Sequence, residues 1–217
     1  MDKRITKIQF ALFFKNDFNG DFVDFTKGLK DLIDEDDYKE TQSIPLPSNA
    51  PSEIPRLNMN LEGFNISVAK NRLDLFFESN IEKTSTYIEA ISNFLIGSSS
   101  IQINRVGFVK TFFIEGGFDD LKNNLNTKFK EEDFKEINIR ISKQKSIYSY
   151  ECNNIEHFSN GFFTGKGVTG KKDGIVLTRD INTLLETKNI NEFNSEDILS
   201  FLVEFDKETN NFLIFGK

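Results

Sequence analysis

The stretch with the plainest chemical look is TGKGVTGKKDG, residues 164–174. From Gly165 to Lys171 it satisfies G-x-x-x-x-G-K, the frame of a loop whose backbone N–H groups cradle phosphate. A working phosphate loop sits between a strand and a helix and carries a Ser or Thr after the lysine to bind magnesium. Here Lys172 takes the hydroxyl position, and Asp173-Gly174 leads into the β-rich IVLTRDI. Asp-Gly before an alternating apolar run is a hairpin signal, so the segment reads as a hairpin loop.

The other candidates are sparser. Arg140, Lys143, Lys145, Lys166, Lys171 and Lys172 interleave with Tyr148, Tyr150, His157, Phe162 and Phe163. On one sheet face they would form a basic, stacking surface for single-stranded nucleic acid or phosphate; the blander expectation is a solvated face with alternate aromatics turned inward. The only histidine, His157, and the only cysteine, Cys152, are too few for a zinc site, and a nucleophilic pair would need their side chains to converge. Asp34-Glu35-Asp36-Asp37 lacks the spacing of a calcium loop and reads as a solvated charge run. No nucleophile elbow, paired-histidine metal helix or dinucleotide turn occurs. No catalytic, cofactor-binding or metal-ligating residue is assigned.

The elements that must position these residues repeat along the chain. ITKIQFALFF is a buried-strand run; after a turn at NDFNGD, Phe22, Phe25, Leu29, Leu32 and Ile33 recur at helical spacing. INRVGFVKTFF from Ile103, followed by Phe118, Leu121, Leu125 and Phe129, repeats the pattern. Aligning Ile5 with Ile103 pairs Lys7 with Arg105, Ile8 with Val106, Phe10 with Phe108 and Phe14 with Phe112. The first half continues with LNMNLEG, FNISVAKN and RLDLFFES, and ends in a helix bearing Tyr87, Ile88, Ile91, Phe94 and Leu95. The second continues with EINIRISKQ, SIYSYECN, FSNGFFTG and DGIVLTRDIN, and ends in a helix capped at Ser195 that bears Ile198, Leu199, Leu202 and Phe205. FLIF is a candidate last strand. The fold class predicted is α+β: pseudo-duplicated units of strand, helix, antiparallel strands and helix forming a largely antiparallel sheet, with helices on one side. The halves are residues 1–97 and 98–217, in one compact two-lobed unit joined through LIGSSS. This element order is similar to the saddle of the TATA-binding-protein fold, an analogy that carries no function.

All four prolines, Pro45, Pro47, Pro51 and Pro55, fall between the first helix and the first sheet hairpin. That segment is a candidate partner-binding loop, although it lacks the regular spacing of a polyproline ligand. The net charge of −7, from 27 basic and 34 acidic residues, opposes a general polyanion binder. The lone cysteine excludes an internal disulfide, and no apolar run reaches the length that spans a bilayer. A cytoplasmic protein is expected. The 24 phenylalanines without a tryptophan, beside abundant Asn, Lys and Ile, are explained by A/T-rich codons.

Pro55-Arg56, Ile103–Gly107 and Asp180-Ile181-Asn182 occur in an order that resembles a sporadically distributed family of uncharacterised bacterial proteins. In that family an early Pro-Arg pair precedes an I-x-R-[IV]-G strand and a D-I-D-like strand. Asn182 departs from the acidic residue expected there, which removes support for a metal at that pair. The resemblance implies no activity; it implies an accessory role on mobile or defence-related elements. Taken together, the sequence predicts a non-catalytic interaction or scaffold protein that self-associates or docks on a protein partner. The alternatives are a nucleic-acid-binding module using the basic residues, and an enzyme using carboxylates with Arg56, Arg72 or Arg105 should those groups converge.

Overall fold

The computed structural model of the chain describes residues 3–33, 35–47, 49–77, 82–99, 101–117, 119, 121–122, 136–148, 150–164, 170–184 and 193–210. Its elements follow in chain order. They are β1 (Lys3–Phe14), α1 (Phe22–Lys30), β2 (Tyr38–Ser43), β3 (Leu57–Leu61), β4 (Phe64–Val68), β5 (Arg72–Phe77), α2 (Glu82–Asn93), β6 (Ile103–Glu115), β7 (Asn138–Ile147), β8 (Tyr150–Phe163), β9 (Lys172–Thr183) and α3 (Ser195–Thr209). The strands form one antiparallel sheet, open rather than closed into a barrel, in the order β2-β3-β4-β5-β1-β6-β9-β8-β7. Each half starts on a central strand, lays its last strand beside it, and works outward to its earliest hairpin strand.

The duplication can be located to a residue pair. When two equivalent strands pair antiparallel about a two-fold axis, equivalent residues face each other only at the axis. Phe10 and Phe108, equivalent by alignment, are direct cross-strand partners, with ring centroids 6.4 Å apart in an edge-on contact. The axis relating the halves passes between them.

Period-two alternation divides each strand between two faces. Ile8, Phe10, Leu12, Leu73, Leu75, Val106, Phe108 and Ile181 are buried on one face. Helices α1, α2 and α3 cover that face. Phe25 and Leu29 of α1, Ile88 and Ile91 of α2, and Phe201, Leu202 and Phe205 of α3 join those strand residues in one apolar cluster. Each such side chain contributes about 1.5–3 kcal/mol on burial. The other face is free of described helices.

Local chemistry sets the boundaries. Asp21 caps α1 by accepting the Val23 N–H at 2.6 Å. Asn194 caps α3, with a reciprocal bond pair to Asp197, so the cap lies one residue before the Ser195 expected from the sequence. The end of α2 widens into a π-turn over Phe94–Ser98. Strand β2 was not expected: YKETQS has no buried apolar residue, as befits an edge strand. Its presence makes the proline segment the loop of the β2–β3 hairpin, closed by Ile44 N–H donating to the Arg56 carbonyl at 2.8 Å. The expected strands SIYSYECN and FSNGFFTG are largely one strand, β8, because the polar Asn153-Asn154 run stays paired to β7 and β9. Leu121 is helical and buried as expected, whereas Phe118, Leu125, Phe129 and the FLIF segment lie outside the described residues.

Candidate functional site

Three arginines from distant segments line up on the helix-free face. Leu57, Leu73 and Val106 are buried under the helices, so by alternation Arg56, Arg72 and Arg105 turn the opposite way. Phe13 pairs with Arg72 on one side and with Arg105 on the other. Beyond β5 the ladder continues: Ala69 N–H donates to the Arg72 carbonyl at 2.9 Å, and Arg56 N–H to the Val68 carbonyl at 2.8 Å. Arg56, Ala69, Arg72, Phe13 and Arg105 therefore form one row across five strands.

The guanidiniums differ in what they meet. Arg72 Nε lies 2.8 Å from Asp74 Oδ2, and Asp74 also accepts from Gln9 Nε2 at 3.0 Å. Burial raises the Asp74 carboxyl above the ordinary carboxylate value, opposed by the Gln9 bond and by Arg72. Arg105 lies over the Phe13 ring at 4.6 Å and donates from Nη2 to Asn182 Oδ1 at 2.9 Å, a neutral acceptor. Arg56 donates from Nη2 to the Ala50 carbonyl at 3.4 Å, which brings the proline loop against this end of the row. The Nε atoms of all three arginines are buried and make no hydrogen bond, that of Arg72 meeting Asp74 as an ion pair.

The next row inward reads Gln42, Asn58, Ser67, Asp74, Ala11, Gly107, Asn182, Asn153 and Gln144 from edge to edge. Every position is polar except Ala11 and Gly107, the two smallest, which floor the centre of the sheet beneath Phe13 and Arg105. Asn182 donates to Asp180 Oδ1 at 3.0 Å and accepts from Asn153 Nδ2 at 3.5 Å. Arg105 and Gly107 thus meet Asn182 and, through it, Asp180.

The six basic residues expected to share a surface are placed differently. Arg140 pairs with His157 on the helix-free face, while Lys143 and Lys145 pair with Asn154 and Cys152 on the helix-covered face. Lys145 is 2.5 Å from Glu208, Lys171 is 3.5 Å from Asp173, and Lys172 is 2.9 Å from Glu115. Lys166 lies outside the described residues. Lys171 and Lys172 do stand near aromatics, with Lys171 over the Phe162 ring at 4.4 Å. Phe163 at the end of β8 faces Lys172 at the start of β9, so the G-x-x-x-x-G-K segment joins two paired strands, and residues 165–169 themselves lie outside the described residues. Asp173-Gly174 lies inside β9 and is not the turn itself. Gly174 is required there because a Cβ would fall 2.3 Å from the Ile114 carbonyl oxygen. A cleft of about 330 Å³ beside this hairpin is lined, among the described residues, by Gly116, Asp119, Asn160, Gly161, Asp173 and Gly174.

Of the proline-loop residues, Pro45, Pro47 and Pro51 are exposed and Pro55 is half-buried. The loop is tied down by Lys70 N–H donating to the Ser52 carbonyl at 2.9 Å and by a Ser52–Asp17 side-chain bond. Cys152 and His157 lie on opposite faces of β8. The Cys152 thiol is pushed up to about 12, first by burial and then by Glu151, while His157 Nε2 is 2.8 Å from Asn138 Oδ1. Among the described residues, no three His, Cys, Asp or Glu side chains group as a metal site. Nor is any described helix long and apolar enough to cross a membrane.

A second polar cluster lies under α3 on the covered face. Arg179 forms an ion pair with Glu156, and both are buried. Arg179 also donates to Asn154 Oδ1 at 3.0 Å and to the Glu208 carbonyl at 3.4 Å. Lys110 Nζ reaches Asp206 at 2.6 Å and Asn210 at 3.1 Å. Burial lowers the Arg179 value, opposed by Glu156 and Glu208. The cluster fixes the C-terminal half of α3 to the sheet.

No protein-family model matches the chain, and no curated protein matches it.

Proposed function

We propose that the chain is a non-catalytic interaction protein that docks on a protein partner through the helix-free face of its sheet. The observation that carries this reading is the asymmetry of the sheet. One face is packed under three described helices; the other bears a polar row interrupted only by Ala11 and Gly107, with three arginines aligned beside it toward one end of the strands. A surface with those groups spaced over several strands fits an extended contact better than a small reacting centre. The sheet margins favour the face over strand addition. Edge strand β7 carries Arg140, Lys143 and Lys145, and β2 carries Lys39 and Glu40, charges that discourage edge pairing.

Hydroxyl-radical footprinting of the tagged protein, in host lysate and again after purification, tests the proposal. Protection in lysate at Phe13, Phe76 and Val109, with Val23 and Val203 on the outer helix surfaces unchanged, is the expected outcome. Equal labelling of Phe13, Phe76 and Val109 in both samples rejects it.

The alternative of nucleic-acid binding draws on one specific feature, the Lys171–Phe162 contact with Arg4 near Phe163 at the far end of β8. It predicts protection at Phe162 rather than at Phe13.

A further inference from the structure

We infer that the row Arg56–Arg72–Phe13–Arg105 takes an acidic, extended segment of the partner, with carboxylates about six residues apart. This rests on the docking role proposed for the face and names the chemistry recognised there. Arg72 already has a carboxylate beside it, Asp74. Arg56 and Arg105 meet only a carbonyl and an amide oxygen. A guanidinium held against neutral acceptors retains its preference for a carboxylate, which it binds through two parallel N–H donors. The Phe13 ring supports Arg105 from one side and thereby fixes the plane in which a carboxylate would be met.

Spacing sets the length. Arg56 and Arg105 are four strand intervals apart, roughly 19 Å at about 4.8 Å per interval. An extended chain crossing the strands covers that span in about six residues at roughly 3.3 Å each. Between the two charges, such a segment passes Arg72 and Phe13, where an apolar side chain can rest on the phenylalanine; Ala69 is already covered by the protein itself. Two uncompensated cations match two carboxylates. A nucleic acid would bring a dense run of phosphates against a chain of net charge −7.

The probe is a fluorescent nonapeptide, mostly Gly and Ser, with Glu at positions 2 and 8 and Leu at position 6. Its Gln-substituted twin and an oligothymidylate of matched length are run beside it, all by anisotropy on the full chain at low salt. The Glu peptide is expected to bind, the Gln twin at least about tenfold more weakly. Arg56→Ala and Arg105→Ala should each reduce binding about tenfold or more, a loss typical of a removed charged contact. Lys171→Ala should leave it unchanged. Arg105→Gln, which keeps an amide donor for Asn182, serves as the second variant, and unchanged unfolding midpoints show that loss of binding is not loss of fold. Equal binding of the two peptides, or indifference to both arginine changes, overturns the inference. So does tighter binding of the oligothymidylate with the same arginine dependence. If footprinting still protects Phe13 while the Glu peptide fails, the docking surface stands and the acidic segment falls.

Discussion

Arg179 pairs with Lys110, five positions along β6 from Arg105 and on the opposite sheet face, and the protein treats the charges of the two arginines in opposite ways. Arg179 is 1% exposed, and Glu156, Asn154 and the Glu208 carbonyl gather round it from the protein itself. Arg105 is partly exposed, stacked on Phe13, and given only an amide oxygen. A charge removed from water must find its counter-charge in the fold or be strongly destabilising. A charge left at a surface without one is available to something else. The difference separates a cluster that builds the fold from a row that can bind.

The largest expected effect tests the closed side. Glu156→Ala strands Arg179 in the interior, and urea unfolding should report a loss of about 3–5 kcal/mol. Arg105→Ala should cost less than about 1 kcal/mol in the same assay, since it removes a partly exposed side chain and leaves no charge unpaired. Equal losses would erase the distinction between the two arginines. Next in size is Gly174→Ala, which drives a methyl group into the Ile114 carbonyl and the Phe113 ring. Its thermal midpoint should fall, corresponding to about 1–3 kcal/mol. Cys152 then reports whether the covered side opens. With its thiol pushed up to about 12 and fully buried, it should resist a disulfide reagent at pH 8 until denaturant is added. Prompt reaction without denaturant would mean that the cover over this face is loose.

The smallest effect belongs to Asp74 on the open side. Its folded value is raised, so the folded state holds a proton that the unfolded state has released, and stability falls as pH rises from the ordinary carboxylate value through the folded one. Asp74→Asn should flatten that part of the stability profile. An unchanged slope would show that Asp74 does not titrate differently on folding.

The architecture was legible because burial imposes periodicity. The stripes of α1 and α3, the strands β3 to β5, and the matched Phe10 and Phe108 follow from apolar spacing that only a core requires. Where nothing is buried, the signal fades, as in β2, whose YKETQS has no apolar alternation. Asp173-Gly174 was misleading for a related reason: a glycine required by close packing against Ile114 looks the same in sequence as one required by a turn. The arginine row was the least legible feature. Arg56, Arg72 and Arg105 each occupy the polar phase of an alternating strand, in RLNMN, RLDLFF and NRVGFV, and that much can be read. Their shared row depends on the register of β3, β4, β5, β1 and β6, and two of those pairings join segments about 60 and 100 residues apart, a separation local pattern does not encode. The basic residues from Arg140 to Lys172 show the converse: close in sequence, they are divided between two faces by a one-residue change of phase.

Native mass spectrometry of protein taken gently from its host lysate, wild type beside an Arg56→Ala/Arg105→Ala variant of unchanged unfolding midpoint, tests the central claim most directly. The account predicts a discrete protein adduct on the wild type that is missing from the variant. The same adduct on both would contradict it and place the contact elsewhere on the molecule.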